Sequence, residues 1–508
     1  MLASFCLDKI SRQSVVAILK ATFYKTLTKK AKKRINKNEQ VEKQLEVLKI
    51  AIQTQDKTLI AHQLAKFDLS ELTNLVQTDR VRALAHIDAM LLQGDDSVFD
   101  KLIEWANERE LSPSKFPRDK DTLKALKELN LSDCGLKTLP QELVCLQGLE
   151  ELNVSKNKFQ GVVPRVICEL TNLKTLILGG CGLNDLPDEF SKLQGLESLN
   201  LNSNKFEKVP KALCELIHLE RLSLSKCGLN SLPDEFAKLQ ELETLYLADN
   251  YLDECPKALC ELTNLKKLSL YKCHLSSLPD EFANLQKLEV LYFGENSSWD
   301  CPEVICKLKN LKELSLSSYS EFSLSVLRLQ TICQLTSLKK LDLCNLHIKT
   351  LPYEFANLQE LEELDLSHNT LEEFPNALCG LINLKSLNLA NCGLKTLPDT
   401  LEVLQKLEKL YLPLNQLVCD KWLDSRDLPQ VIFKLRNLQE LDLCDCNIPS
   451  CSTLPKEFIN LQNLKKLFIN SANFCYDDET SVLDKLQIQI ESRGEQLEIR
   501  DSSDFEFF

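Results

Sequence analysis

The chain has 508 residues, 44% of them apolar, and a formal net charge of −13. No run approaches the roughly 18 apolar residues that a membrane helix needs, so no transmembrane segment is expected. The charge is uneven: residues 1–120 carry 21 Lys+Arg against 16 Asp+Glu, which leaves 40 against 58 for the remainder. An acidic bulk argues against nucleic acid as the main ligand, because phosphate binding depends on a basic surface.

At the N-terminus, Asp8 and Lys9 follow a very short apolar stretch. A secretory signal needs a longer apolar core, and none is expected. Residues 1–120 are predicted to form a helical domain. Leu45, Leu48 and Ile52, then Leu84, Ile87 and Leu91, follow the spacing of three to four that marks an amphipathic helix. Gly94-Asp95-Asp96 and Ser112-Pro113 punctuate it. The basic run Thr28 to Lys37 suits a solvated helix face; contact with anionic lipid or RNA is the alternative.

From Leu123 onward one pattern recurs: LxxLxLxx, then Cys or Asn, then xL or xF, with a Pro shortly after. The Cys/Asn position falls at Cys134, Asn157, Cys181, Asn204, Cys227, Asn250, Cys273 and Asn296, mostly 23 residues apart. It continues through Tyr319, Leu346, Asn369, Cys392, Asn415, Cys446 and Ala472. That is about 15 repeats, each too small to bury its leucines alone, so the fold must come from stacking. A second regularity lies over the first. Cys-type repeats run on into LPDEF (Leu186–Phe190, Leu232–Phe236, Leu278–Phe282) and Asn-type repeats into PKALCEL (Pro210–Leu216, Pro256–Leu262), so the duplicated unit is a pair. Wider steps before Leu346, Cys446 and Ala472 require loops, of which Val418 to Asp427, carrying Trp422, is the longest. The pattern stops at Asn473. Ser481 to Ile490 reads as a capping helix or strand, and Glu491 onward as an acidic tail ending in Phe505, Phe507 and Phe508. The expected domains are thus 1–120, 121–475 and 476–508.

Chemistry explains the motif positions. Leucines point inward from a short strand, and the residues between them face out. Asn can satisfy backbone groups that a buried bend leaves unpaired, and Cys fits as a small apolar residue with a weak donor. Pro in LPxxF suits an extended return segment. The 21 cysteines do not form a disulfide ladder. Cys181 and Cys227 stand two repeats apart, roughly 10 Å at about 4.8 Å per strand, beyond the ~7 Å Cα separation a disulfide spans. Free thiols in a reducing cytoplasm are expected.

Leu123 to Asn473 resembles the leucine-rich repeat family in its intracellular form of about 23 residues. The lead-in FPRDKDTLKALKELNLSDCGLKTLP is similar to bacterial members, secreted effectors among them. The resemblance implies an α/β solenoid, a horseshoe with parallel strands on its concave face, preceded here by the all-α N-terminal domain. It also implies a non-enzymatic, monomeric protein that needs no cofactor and binds a protein partner on that face. Such a protein would be cytoplasmic, or an effector delivered to a host cell by a route independent of a signal peptide. The alternative is a ubiquitin-ligase adaptor, or an effector whose N-terminal helices carry the activity. The 35 residues after Asn473 are too few for a separate ligase domain.

The register fixes the central outward position of each strand, from Asn130 to Phe468. Tyr246, Tyr271 and Tyr292 fall on three adjacent repeats, with Arg221, Lys226, Lys267 and Lys272 beside them. Asp342, Glu363, Asp365, Glu440 and Asp442 form an acidic stretch downstream. Tyr and Arg dominate interface hot spots, so the tyrosine zone is expected to be the main contact and the acidic stretch, through Asp342 and Asp365, to orient the partner. The plainer alternative is that tyrosines simply favour strands. Enzyme chemistry finds little support. Cys419, Cys444, Cys446 and Cys451 are dense enough for zinc, but alternation points Cys444 and Cys446 in different directions. Cys344 with His368 is a chance neighbour pair at this cysteine density.

Overall fold

The computed structural model describes residues 97–296, 303–318, 324–371, 373–417, 428–446, 456–469, 488, 490–492 and 498–500. The helical domain expected before residue 97, its basic run, the Trp422 loop and the three terminal phenylalanines lie outside the described residues. So do Tyr319, Cys419, Cys451 and Ala472. The chain divides into two compact units, one up to Ser198 and one from Leu199.

In the first unit, the helix Ser97–Glu108 buries Phe99, Leu102 and Ala106. Trp105 meets Phe116 edge to face at 5.7 Å. Arg118 ties this lead-in together, donating to Asn107 Oδ1 at 2.7 Å and to the Leu111 carbonyl at 2.6 Å. Asp119 then caps the short helix Lys120–Lys124 by accepting from the Thr122 amide at 2.8 Å. An Arg with donors in a rigid fork holds several carbonyls at once, which is how FPRDK closes the end of the stack. Strands Glu128–Asn130, Glu151–Asn153 and Thr175–Ile177 follow, paired in parallel with leucine opposite leucine.

The second unit repeats this from Arg221–Ser223 to Lys466–Phe468. Every strand has three residues, and each pairs in parallel and in register with the next. The central leucine of each strand is buried, and Leu245, Leu268, Leu291 and Leu314 have no exposed surface. These are the stacked parallel strands of a repeat solenoid. One strand was not anticipated: Glu498–Arg500, within the expected tail, pairs with Lys466–Phe468. Phe468, on the strand it pairs with, is only 8% exposed rather than outward-facing and open. A last strand without a neighbour would leave a row of unpaired amides and carbonyls, and this addition moves that edge outward by one.

The prolines behave differently from a plain extended return. Pro187, Pro233 and Pro279 are themselves extended, but each begins a tight 3-10 turn, Asp188–Lys192, Asp234–Lys238 and Asp280–Asn284. The proline carbonyl accepts from the phenylalanine amide three residues on, at 2.8 Å for Phe190 and 3.0 Å for Phe236. The missing proline N–H costs nothing at that position. Phe190, Phe236, Phe282 and Phe355 are thereby carried fully into the core.

The Cys/Asn alternation has a hydrogen-bond logic. Asn250 is fully buried; its Oδ1 accepts from the Cys227 and Leu229 amides at 3.2 and 2.9 Å. Its Nδ2 donates to the Leu224 and Leu247 carbonyls at 3.0 and 2.6 Å. Asn157, Asn296, Asn369 and Asn415 make the same four kinds of bond. The Cys273 thiol instead donates only weakly, to the Leu247 carbonyl at 3.1 Å and the Tyr271 carbonyl at 3.7 Å. The preceding Asn-type repeat needs no side-chain acceptor from it, because the Leu252 amide bonds the Cys273 main-chain carbonyl directly at 3.0 Å. Phe206 and Cys227 repeat that bond at 3.0 Å. Asn and Cys are therefore two halves of one 46-residue unit rather than equivalent choices.

Burial pushes these thiols up, Cys273 and Cys392 to about 12 and Cys227 to about 11. Only the thiolate is nucleophilic, so a raised value removes reactivity below pH 9. In native protein at pH 8, a thiol reagent is expected to modify half-buried Cys379 while leaving Cys273 and Cys392 untouched until denaturant is added. Peptide mapping after labelling checks this, and early modification of Cys273 would contradict the buried ladder.

Candidate functional site

Parallel in-register pairing places equivalent side chains in rows across the strands. One row of the second unit runs Ser223, Tyr246, Ser269, Tyr292, Ser315. Tyr246 and Tyr292 are two strands apart, about 10 Å. Between them Lys267, from the adjacent row, reaches up with its Nζ 5.7 Å from the Tyr246 ring centre and 5.1 Å from that of Tyr292. An ammonium is drawn to the electron-rich face of a tyrosine, so one lysine holds both rings. Small Ser269 is buried in the same row, 5% exposed, and leaves room for this arrangement. Tyr292 is fixed further by donating its hydroxyl to Glu313 Oε1 at 2.9 Å. Burial, then the Glu313 carboxylate, pushes that phenol above its ordinary range.

Tyr271 follows the same strand as Lys267 and lies against Gly294. A Cβ at 294 would collide with the Ser317 carbonyl and press on the Tyr271 ring at 3.2 Å, so the ring sits where only glycine leaves space. Lys272 stands 3.8 Å from Asp249. Among the described residues, neither Lys267 nor exposed Arg221 has a carboxylate within ion-pair distance. Lys266, Lys272 and Lys340, by contrast, pair with Glu243, Asp249 and Glu363.

The structure adds two residues that the strand register does not reveal. Tyr251 and His274 directly follow the ladder positions of neighbouring repeats and stack at 5.3 Å with 22° between planes. Tyr251 is 58% exposed. The available signal was the position itself: Asn250-Tyr251 and Cys273-His274 occupy equivalent places one repeat apart. Four of the nine tyrosines thus fall between residues 246 and 292.

The downstream acidic stretch is built differently. Asp342 accepts from the Cys344 amide at 3.0 Å and from the Ser315 hydroxyl at 2.7 Å. Asp365 accepts from the Ser367 amide and hydroxyl at 2.8 and 2.5 Å, and from Asn388 Nδ2 at 2.9 Å. Burial raises the Asp365 carboxyl against the lowering pull of those bonds. Asp442 caps the Cys444 amide at 2.9 Å. Glu363 pairs with Lys340, and Glu440 with the Tyr411 hydroxyl, Lys466 and Lys409. These carboxylates hold their own chain in shape.

His368 lies 3.2 Å from Asn391 Nδ2. Cys344 is beside Ser367, and burial pushes its thiol to about 11, the wrong direction for a nucleophile. Cys446 turns inward to the Leu412 carbonyl at 3.0 Å. Among the described residues no cluster of His, Cys, Asp and Glu could hold a metal ion. No helix among them is long and apolar enough to cross a membrane.

Comparison with known proteins follows this geometry. A model described as a leucine-rich repeat region matches residues 207–326 and 314–415. Leucine rich repeat models match 124–183, 171–229 and 437–461. Among solved structures, a leucine-rich repeat protein of Leptospira interrogans is 29% identical, covering 75% of this chain and 97% of its own, with a TM-score of 0.59. The functional domain of InlJ from Listeria monocytogenes, described as including a cysteine ladder, is 19% identical over 68% of each chain, with a TM-score of 0.50, a likeness of fold alone. A search of curated proteins returns no match.

Proposed function

The chain belongs to the leucine-rich repeat family, and from that premise we propose that it is a recognition protein whose strand face binds a protein partner at Tyr246, Lys267 and Tyr292. One observation carries this: two tyrosine rings braced by a single lysine on regularly paired strands. Such a surface presents large, amphipathic side chains already held in place, so a partner orders little on binding. Tyr271, Tyr251 and His274 extend it, and Arg221 and Lys272 supply charge at its margins. Asp342 and Asp365 continue the same row beyond Ser315 and, held by bonds to their own chain, orient the partner. A bacterial effector acting in a host cell is the wider setting we favour, from the resemblance of the lead-in FPRDKDTLKALKELNLSDCGLKTLP to bacterial members of the family; fractionating producing and recipient cells tests it.

The direct test is partner capture with Tyr246→Ala/Tyr292→Ala beside a control, Tyr353→Ala. Tyr353 is 81% exposed in the return segment Tyr353–Asn357, away from the strand face. Binding lost in the pair and kept in the control supports the reading. Binding kept in both moves recognition to another surface.

A further inference from the structure

The recognition surface is asymmetric in charge, and that asymmetry describes what it takes. Across the strands, one row runs Arg221, Thr244, Lys267, Val290, Glu313, Lys340, Glu363. At its far end each charge is answered: Tyr292 bonds Glu313 at 2.9 Å, and Lys340 bonds Glu363 at 2.8 Å. At its near end Arg221 and Lys267 have no carboxylate partner among the described residues, although other strand-face and rim lysines do. Lys267 is pinned by aromatic rings instead, which hold an ammonium without neutralising it.

We infer that the partner presents an extended acidic segment to this end of the row, with carboxylates reaching Arg221 and Lys267 and its backbone crossing the tyrosine rings. The inference rests on the strand-face reading above. Arg221 and Lys267 stand two strands apart, about 10 Å. In a polyproline-like peptide, residues i and i+3 point the same way and lie about 9 Å apart. The matching sequence is therefore acidic-x-x-acidic. Arg221 can take its carboxylate through two parallel bonds, whereas Lys267 offers a point charge set between rings.

The probe is a fluorescent 12-residue peptide of Pro and Ala carrying two Glu three positions apart, titrated into the full chain. Counterparts carry Gln or Lys in place of Glu. The Glu peptide is expected to bind, to weaken as salt rises, and to exceed the Gln peptide by about tenfold or more, the scale of one charge-assisted contact. Lys267→Gln and Arg221→Gln should each remove about that factor while leaving circular dichroism and the melting curve unchanged. Equal binding of Glu and Gln peptides, indifference to both substitutions, or no binding of the Glu peptide overturns the inference. The two levels separate cleanly. A captured partner that needs Tyr246 and Tyr292 but ignores Lys267 and Arg221 removes the acidic segment and leaves the recognition face standing. A partner that ignores the tyrosines removes both.

Discussion

Asn250→Ala is expected to destabilise the repeat stack by about 4 kcal/mol, whereas Cys227→Ala in the adjoining rung costs about 1 kcal/mol. Asn250 is fully buried and bonds two amides and two carbonyls, with a longer contact to the Ala248 carbonyl at 3.5 Å that the Lys226 amide also serves. Removing it orphans the Cys227 and Leu229 amides and the Leu224 carbonyl; the Leu247 carbonyl keeps the Cys273 thiol. Each buried orphan costs roughly 1–3 kcal/mol, and partial relaxation trims the sum. Cys227 donates only weakly, to the Leu201 carbonyl at 3.2 Å, which Asn204 also serves at 2.7 Å, and to the Ser225 carbonyl at 3.6 Å, which the Ser203 amide also serves. A sharper version is Asn250→Cys, which places the next rung's own residue in the slot. A thiol is a poor acceptor and cannot replace an amide oxygen that serves two N–H groups, so Asn250→Cys should cost nearly as much as Asn250→Ala. Urea unfolding of the three variants measures this. Equal midpoints for Asn250→Cys and wild type would show that Asn and Cys are interchangeable after all.

Tyr246→Ala/Tyr292→Ala is expected to lower partner affinity by two to three powers of ten. A central aromatic anchor contributes about 2 kcal/mol on truncation, and every 1.4 kcal/mol is tenfold. The double loss exceeds either single change because Lys267 is held by both rings. With neither ring present its side chain is free to move, and ordering it again on binding adds a further cost. Stability should change little, since both tyrosines are only half buried and the leucines beneath them are untouched. A lower affinity with an unchanged unfolding midpoint is thus the signature of a binding role, and a fall in both would assign the tyrosines to the fold.

The stacked repeats were legible because a strand alternates with period two and a leucine ladder repeats with every strand. Each rung restates the register, so a pattern seen once is tested many times. The tyrosine zone was legible for the same reason, as column positions in a fixed register. What the sequence withheld concerns bonds rather than positions. Asp342 and Asp365 read as an acidic surface by column, but only coordinates show that their oxygens already serve Cys344, Ser315, Ser367 and Asn388. Tyr251 escaped because it follows the ladder residue, outside the strand whose alternation was being counted. The strand Glu498–Arg500 escaped because Leu497 and Ile499 alone, with no ladder residue after them, do not make a repeat. Residues before 97 offered helical spacing without any comparable redundancy.

The most direct measurement is a tyrosine footprint: nitration of the full chain with and without its captured partner, read by peptide mapping. The account predicts that Tyr246, Tyr251 and Tyr292 become protected while Tyr353 reacts equally in both. Equal reaction at Tyr246 and Tyr292 in the complex, with protection elsewhere, would contradict recognition through the strand face.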